Sequence, residues 1–403
     1  MNQRLIILIT MMFQAIFWTS SPMLRRTITP MRLLIIADIE EEHIGGTEEV
    51  IRQIKKRLLL QNCNVRVMDM SELDTIQLPF LHGEPFTKPW GIKKHVAAVF
   101  KEFQPDYILI ALMGPLSTSA ADYCAEHEIP FTAFCSVRLP EISNIVTHIP
   151  CWITKYFIVN KFLSQAHHIL VPTDSFKREL AIDGFANVTV WPHGIDLGNF
   201  PLPTKELKHQ LVKALQLEGL PHPFYLYVGH LSKIKNLQAF LDLEVPGTKI
   251  VVGDENIGFS LAELKENYPE IIFTGPQRGI NLLAYYHCAD IFMFPSKNDS
   301  FGLVILEALA CGLPIVGFNT QGPADVVPPS CGVSFLANND EELGLCARWA
   351  WRHVQAGVIK PEDCRRYAAR FSWETSIALL LNNLEFINPD IYENLDDTRY
   401  CCC

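Results

Sequence analysis

Twice along this chain, short β-branched runs alternate with helical patterns, the order that builds parallel sheets covered by helices. In the first series, 31–38 reads as a buried strand, 47–60 as a helix and 64–68 as the next strand. Strands at 107–112, 131–134 and 169–172 carry the series to a turn at Trp191-Pro192-His193-Gly194, and Pro201 and Pro203 mark a linker. The second series places strands at 225–229, 249–252, 271–274, 291–294 and 314–317, with a helix after each of the first four. These runs are too apolar to leave either face in water, so two doubly wound sheets in tandem are expected. A cleft between two such sheets is the usual place for a ligand.

The 403 residues suit two domains with separate cores. The boundaries read as 31–195, 196–363, a helical segment at 364–388 and an acidic tail at 389–403, with 1–30 as a hydrophobic extension. Lys and Arg number 34 against 44 Asp and Glu, and the net charge of -10 argues against a nucleic-acid partner. Before the terminal run Cys401-Cys402-Cys403, the cysteines stand singly with no metal or redox spacing, so buried reduced thiols are expected.

Both ends bear on the membrane. Arg4 precedes an apolar run at 5–18, and Arg25 and Arg26 follow it. That run is short against the ~20 residues of a spanning helix. An anchor, a cleaved leader and an extension ahead of a start at Met31 all remain open. The terminal cysteines are candidates for lipidation, although they do not form a prenylation box. A cytoplasmic protein is expected, with membrane contact through either end.

The densest chemistry lies in Pro295-Ser296-Lys297-Asn298-Asp299-Ser300-Phe301-Gly302-Leu303, followed by Glu307 and Gly312-Leu313-Pro314. A strand precedes it, and a helix should open near Phe301. The backbone N–H groups of Phe301, Gly302 and Leu303 would then lack helical acceptors and suit a diphosphate. Asp299 stands where a carboxylate accepts sugar hydroxyls, and Glu307, about two turns on, can reach a ribose diol. Alone, Asp299 would read as an N-cap and Glu307 as a solvated charge. A second candidate clamp is Gly229-His230-Leu231-Ser232-Lys233-Ile234-Lys235-Asn236, a strand end followed by cations and a helix.

On these motifs the chain resembles the family 4 glycosyltransferases of the GT-B fold, in particular bacterial mannosyl- and glucosyltransferases acting on glycolipids or glycans. The family carries two acids with seven residues between them before a Gly-Leu-Pro turn, and Asp299 and Glu307 match them. The resemblance implies that Asp299 contacts the donor sugar and Glu307 the nucleotide ribose. Gly229 and Lys235 match the family's phosphate loop, where His230 replaces an Arg. Val252-Gly253-Asp254 and Gln321-Gly322-Pro323 match family turns, and each alone is ordinary turn chemistry.

In the first half, Gly45-Gly46 corresponds to the family's glycine-rich loop facing donor and acceptor. Many relatives carry a His shortly before a Pro-Glu pair. Here the segment reads Cys135-Ser136-Val137-Arg138, then Leu139-Pro140-Glu141. Ser136 therefore stands in for the sugar-positioning His, and Arg138 and Glu141 are candidates for the acceptor. The resemblance runs from Met31 to Phe371-Ser372-Trp373-Glu374, where the family's last helix crosses back to the first domain.

The implied reaction is front-face substitution with retention at the anomeric carbon. A GDP- or UDP-sugar is co-substrate, a glycolipid or glycan is acceptor, and no cofactor or bound metal takes part. Lys235 and the helix N-terminus at Phe301–Leu303 would stabilise charge on the leaving diphosphate. A dehydrogenase reading fails because no Gly-x-Gly-x-x-Gly follows the first strand. A degenerate fold serving as a sugar-nucleotide sensor or scaffold is the other reading, separated from the first by turnover.

Overall fold

The run from Leu33 to Ala37 is wholly removed from solvent, as a strand apolar on both faces must be. It lies in one of two parallel six-stranded sheets in a computed structural model that describes residues 30–39, 45–73, 75–81, 84–89, 91–111, 114–136, 162–255 and 259–393.

The first domain begins β1 (Arg32–Ala37), α1 (Gly46–Leu60) and β2 (Asn64–Met68). An antiparallel ribbon of β3 (Thr75–Leu81) and β4 (Glu84–Pro89) follows, which the sequence pattern did not announce. Then come α2 (Ile92–Phe103), β5 (Tyr107–Ala111), α3 (Pro115–Glu126) and β6 (Thr132–Phe134). The domain closes with β7 (His168–Val171), α4 (Asp174–Ile182) and β8 (Val188–Val190). Its strand order is β2-β1-β5-β6-β7-β8. Helix α1 buries Val50, Ile51, Ile54 and Leu58, one stripe at helical spacing, against the β1 face.

The second domain runs α5 (Lys205–Ala214), β9 (Phe224–Val228), α6 (Leu237–Leu241), β10 (Thr248–Val252) and α7 (Leu261–Asn267). It continues β11 (Ile272–Gly275), α8 (Gly279–Cys288), β12 (Ile291–Phe294), α9 (Leu303–Ala310) and β13 (Ile315–Phe318). The last elements are α10 (Pro323–Val326), β14 (Ser334–Ala337) and α11 (Asp340–Gln355). The order here is β11-β10-β9-β12-β13-β14. Both orders reverse around a central pair, β1/β5 in one sheet and β9/β12 in the other, and such reversals open a crevice at the strand ends.

The stretch 364–387, expected as one helix, is broken. After α12 (Pro361–Ala368) the chain passes between domains and starts α13 (Trp373–Asn382) behind the Ser372 cap. Trp373, Ile377 and Leu380 then complete the core of the first domain beside Leu33, Ile35 and Trp191. Trp191 Nε1 donates to Ser376 O at 2.8 Å, and Thr132 Oγ1 to Asn383 O at 2.8 Å. At the crossing, Ile195 pairs with Ser372 in a parallel bridge, and a Cβ on Gly194 would lie 2.5 Å from Trp373 N. The crossing helix of the GT-B fold is therefore present, and so are its two Rossmann-like sheets.

The N-terminal and C-terminal readings fall on 1–29 and 394–403, outside the described residues. Among the described residues no helix is long and apolar enough to cross a membrane.

Candidate active site

The strands on either side of the second sheet's reversal, β9 and β12, deliver the candidate donor site. After β9 the chain turns at Gly229, and a Cβ on Gly253 would meet Gly229 O at 1.8 Å, so the two turns need glycine to lie this close. Asn236 caps α6 in the left-handed region (φ 51°), and its Nδ2 donates to Pro295 O at 3.0 Å. That bond laces the Lys235 loop to the chain leaving β12. Lys235 Nζ reaches Asp299 Oδ2 at 2.8 Å, which joins the two candidate motifs in one site.

Gly302 takes φ 82°, and α9 begins at Leu303, two residues later than the pattern predicts. The first N–H groups of α9 lack intrahelical acceptors beside Asp299. The Phe301 side chain is buried, 4.7 Å from the His193 ring and 6.1 Å from Phe371, so only its backbone can face a ligand. Gly322, in a turn of ordinary type by sequence, has φ 91°, and a Cβ there would lie 1.9 Å from Asp299 O. The turn is the floor under Asp299.

Glu307 is partly buried, and its Oε2 accepts from Tyr286 OH at 2.8 Å. Burial pushes its carboxyl up to about 7, the Tyr286 hydrogen bond opposes the rise, and Glu49 across the cleft adds to it. His230 is not a free imidazole. Its Nδ1 lies 2.7 Å from Asp254 Oδ1, and its carbonyl accepts from Tyr227 OH at 2.7 Å. Burial, then Asp299 and Asp254, raise the Tyr227 phenol, so it stays a donor.

The first domain supplies the opposite wall. Ser136 Oγ lies 3.0 Å from Thr47 Oγ1, and Ser136 O accepts from Ser300 Oγ. Thr173 Oγ1 donates to Ser300 O at 3.4 Å. Ser136 thus sits one residue away from Asp299 through space. Gly46 faces Leu303, whose Cδ1 would lie 3.9 Å from an added Cβ, and Glu48 folds over Gly45. Arg138 and Glu141 fall outside the described residues.

Several contributors escaped the sequence reading. Asp38, at the carboxyl end of β1, accepts from the N–H groups of Gly114 (3.0 Å), Leu116 (2.8 Å) and Ser117 (2.9 Å), capping α3. Tyr286 and Ser300 have no local signal at all. His193 is buried among Phe134, Trp191 and Phe301 with no partner for Nδ1 among the described residues, and burial lowers its pKa to about 3. No group of three His, Cys, Asp or Glu among the described residues is placed to hold a metal.

Comparison with known proteins identifies the family. Residues 44–199 match the model of Glycosyltransferase Family 4, and residues 222–348 match that of Glycosyl transferases group 1. The chain belongs to the family 4 glycosyltransferases. A GDP-mannose-dependent alpha-mannosyltransferase of Corynebacterium glutamicum is 23% identical over 343 residues, 80% of this chain and 81% of the relative. The sulfoquinovosyl transferase of Arabidopsis thaliana is 27% identical over 267 residues, 61% of this chain but only 52% of its own length.

Two solved structures share the fold. Sucrose-phosphate synthase from Thermosynechococcus elongatus has a TM-score of 0.71 at 16% identity, covering 87% of this chain and 98% of its own. Anabaena HepE in complex with UDP and glucose has a TM-score of 0.65 at 17% identity, covering 87% and 98%.

Proposed function

We propose that this glycosyltransferase is a retaining hexosyltransferase that moves mannose or glucose from a GDP- or UDP-sugar to a glycolipid or glycan. The observation that carries the reading is the Lys235–Asp299 pair at the mouth of α9, with Glu307 on the same helix. One cation, a helix N-terminus and two acids at these spacings match the parts of a nucleotide-diphosphate sugar: phosphates, sugar hydroxyls and ribose diol. The Corynebacterium relative is named for GDP-mannose, and HepE was seen with UDP and glucose, so both bases enter the proposal.

In the proposed reaction the acceptor oxygen attacks the anomeric carbon on the face from which the diphosphate leaves. Lys235 and the first N–H groups of α9 stabilise the charge growing on the diphosphate, which takes the acceptor proton. Asp299 fixes the sugar through its hydroxyls, and Ser136 and Gly46 close the cleft from the first domain. Gly45, Gly229 and His230 line the donor side, while Arg138 and Glu141 are proposed for the acceptor. No metal or cofactor is proposed.

Purified protein incubated with a panel of nucleotide sugars, read as free UDP or GDP, tests the reading. Turnover with one donor supports it, and NMR of the new anomeric bond decides retention. Tight nucleotide binding without any turnover, across acceptors, would favour the sensor reading instead.

A further inference from the structure

Tyr286 lies on α8, the helix before β12, and is separated from Glu307 by 21 residues. Its ring is fully buried in the second domain, edge-on to Phe200 at 6.2 Å and tilted against Phe292 at 5.9 Å. A ring gripped in this way has little freedom to move its hydroxyl. That hydroxyl meets Glu307 Oε2 at 2.8 Å. Burial, with Glu307 beside it, raises the phenol well above its ordinary value, so Tyr286 remains the donor and Glu307 the acceptor.

The groups facing Glu307 come from three elements. Tyr286 stands on α8, Glu49 on α1 across the cleft, and Cys311 just beyond the end of α9. Burial holds the Cys311 thiol up at about 12, so it stays neutral. Desolvation and Glu49 both oppose a charge on Glu307, and Tyr286 favours it.

We infer that Tyr286 is a positioning residue of the transferase site: its hydroxyl keeps Glu307 ionised and oriented, leaving the second carboxylate oxygen for the ribose diol. The inference rests on reading Glu307 as the ribose acid. Were Glu307 neutral, it would offer a proton where the diol needs an acceptor. Tyr286 therefore sets the pH range over which nucleotide is held.

Tyr286→Phe retains the ring and its packing while deleting the hydroxyl, so folding is preserved and the test has two arms. The first needs no nucleotide. Protein labelled with 13C-glutamate is titrated by NMR, with Glu307→Gln assigning the carboxyl signal. The midpoint of Glu307 should rise by about one pH unit in Tyr286→Phe. An unchanged or lowered midpoint would overturn the inference whatever the protein binds.

The second arm measures Kd for UDP and GDP from pH 6 to 9. Titration of the nucleotide's own phosphate is common to both proteins and cancels in the ratio of variant to wild type. That ratio should be about tenfold at pH 6 and approach one by pH 9. A constant loss across the range is what a merely structural contribution gives, and would count against the inference. A raised midpoint in the first arm with neither nucleotide bound by wild type would leave Tyr286 tuning Glu307 and remove the donor assignment.

Discussion

Lys235 Nζ and Asp299 Oδ2, 2.8 Å apart, place the donor site's cation and one of its acids in direct contact. The pair is partly open to solvent, where such contacts are worth about 1 kcal/mol or less, so it is easily exchanged for substrate. In the proposed reaction a diphosphate takes the ammonium while sugar hydroxyls take the carboxylate. On that proposal the two residues serve different halves of one donor and should be separable.

Asp299→Asn should lower kcat by roughly 10- to 100-fold, because the sugar loses a contact that fixes its anomeric carbon. Inhibition by free UDP or GDP should stay within about threefold of wild type. Steady-state kinetics with nucleotide inhibitors checks both, and a variant that no longer binds nucleotide would show that Asp299 has the wrong role.

Glu307→Gln should weaken UDP or GDP by roughly 10- to 150-fold at pH 8, the cost of a charged hydrogen bond. Stability should move the other way. Burial lifts the Glu307 carboxyl to about 7 from an ordinary 4.5, so the native state holds a proton that the unfolded chain has released. Stability from that proton is fully present below about 4.5 and lost as pH rises through 7. Glu307→Gln should melt at or above the wild-type temperature at pH 8, and lose that advantage at pH 4.5. A large fall in Tm at pH 8 would contradict the assigned burial.

Gly322→Ala should displace Asp299, since the new Cβ would stand 1.9 Å from Asp299 O. Turnover should fall at least tenfold in protein that remains folded. Gly332→Ala is the control: it also has positive φ (76°) but nothing within 4 Å. It should cost about 1 kcal/mol of stability and leave kcat alone. Equal kinetic effects of the two would reduce the Gly322 result to backbone strain.

His193 should make the fold acid-sensitive. Its pKa falls from an ordinary 6.5 to about 3 on burial, so the unfolded chain binds the proton first. The native state has its full stability above pH 6.5 and loses up to a few kcal/mol as pH falls toward 3. Denaturant melts of His193→Asn against wild type at pH 7 and pH 4.5 measure this. The wild type should drop more between the two pH values.

Activity should persist in excess EDTA. Loss on chelation with rescue by manganese would refute the metal-independent scheme.

The fold was legible because its signals are local: apolar runs such as 291–294, and glycines and prolines that punctuate them. The Asp299–Glu307 motif was legible for the same reason, being one strand, one turn and one helix. Its helix starts at Leu303 because Gly302 adopts a left-handed conformation that a polarity pattern does not encode. What stayed hidden joins distant segments. Tyr286 meets Glu307 only once α8 and α9 pack on the same sheet face, and His230 finds Asp254 only once β9 and β10 pair. Asp38 reaches the start of α3 across 76 residues through the pairing of β1 with β5. The ribbon of β3 and β4 carries three prolines, Pro79, Pro85 and Pro89, which interrupt the pattern by which a strand is read.

The parallel bridge of Ile195 with Ser372 has a mechanical consequence. The chain leaves the first domain at Gly194 and comes back to it at Trp373, so two covalent strands cross the gap side by side at one point. A single strand would let one domain swivel about it as well as swing; two bonded strands resist the swivel and leave the swing. Any opening of the cleft would then follow the swing alone, and Ser136 and Ser300 would return to the same contact on closing.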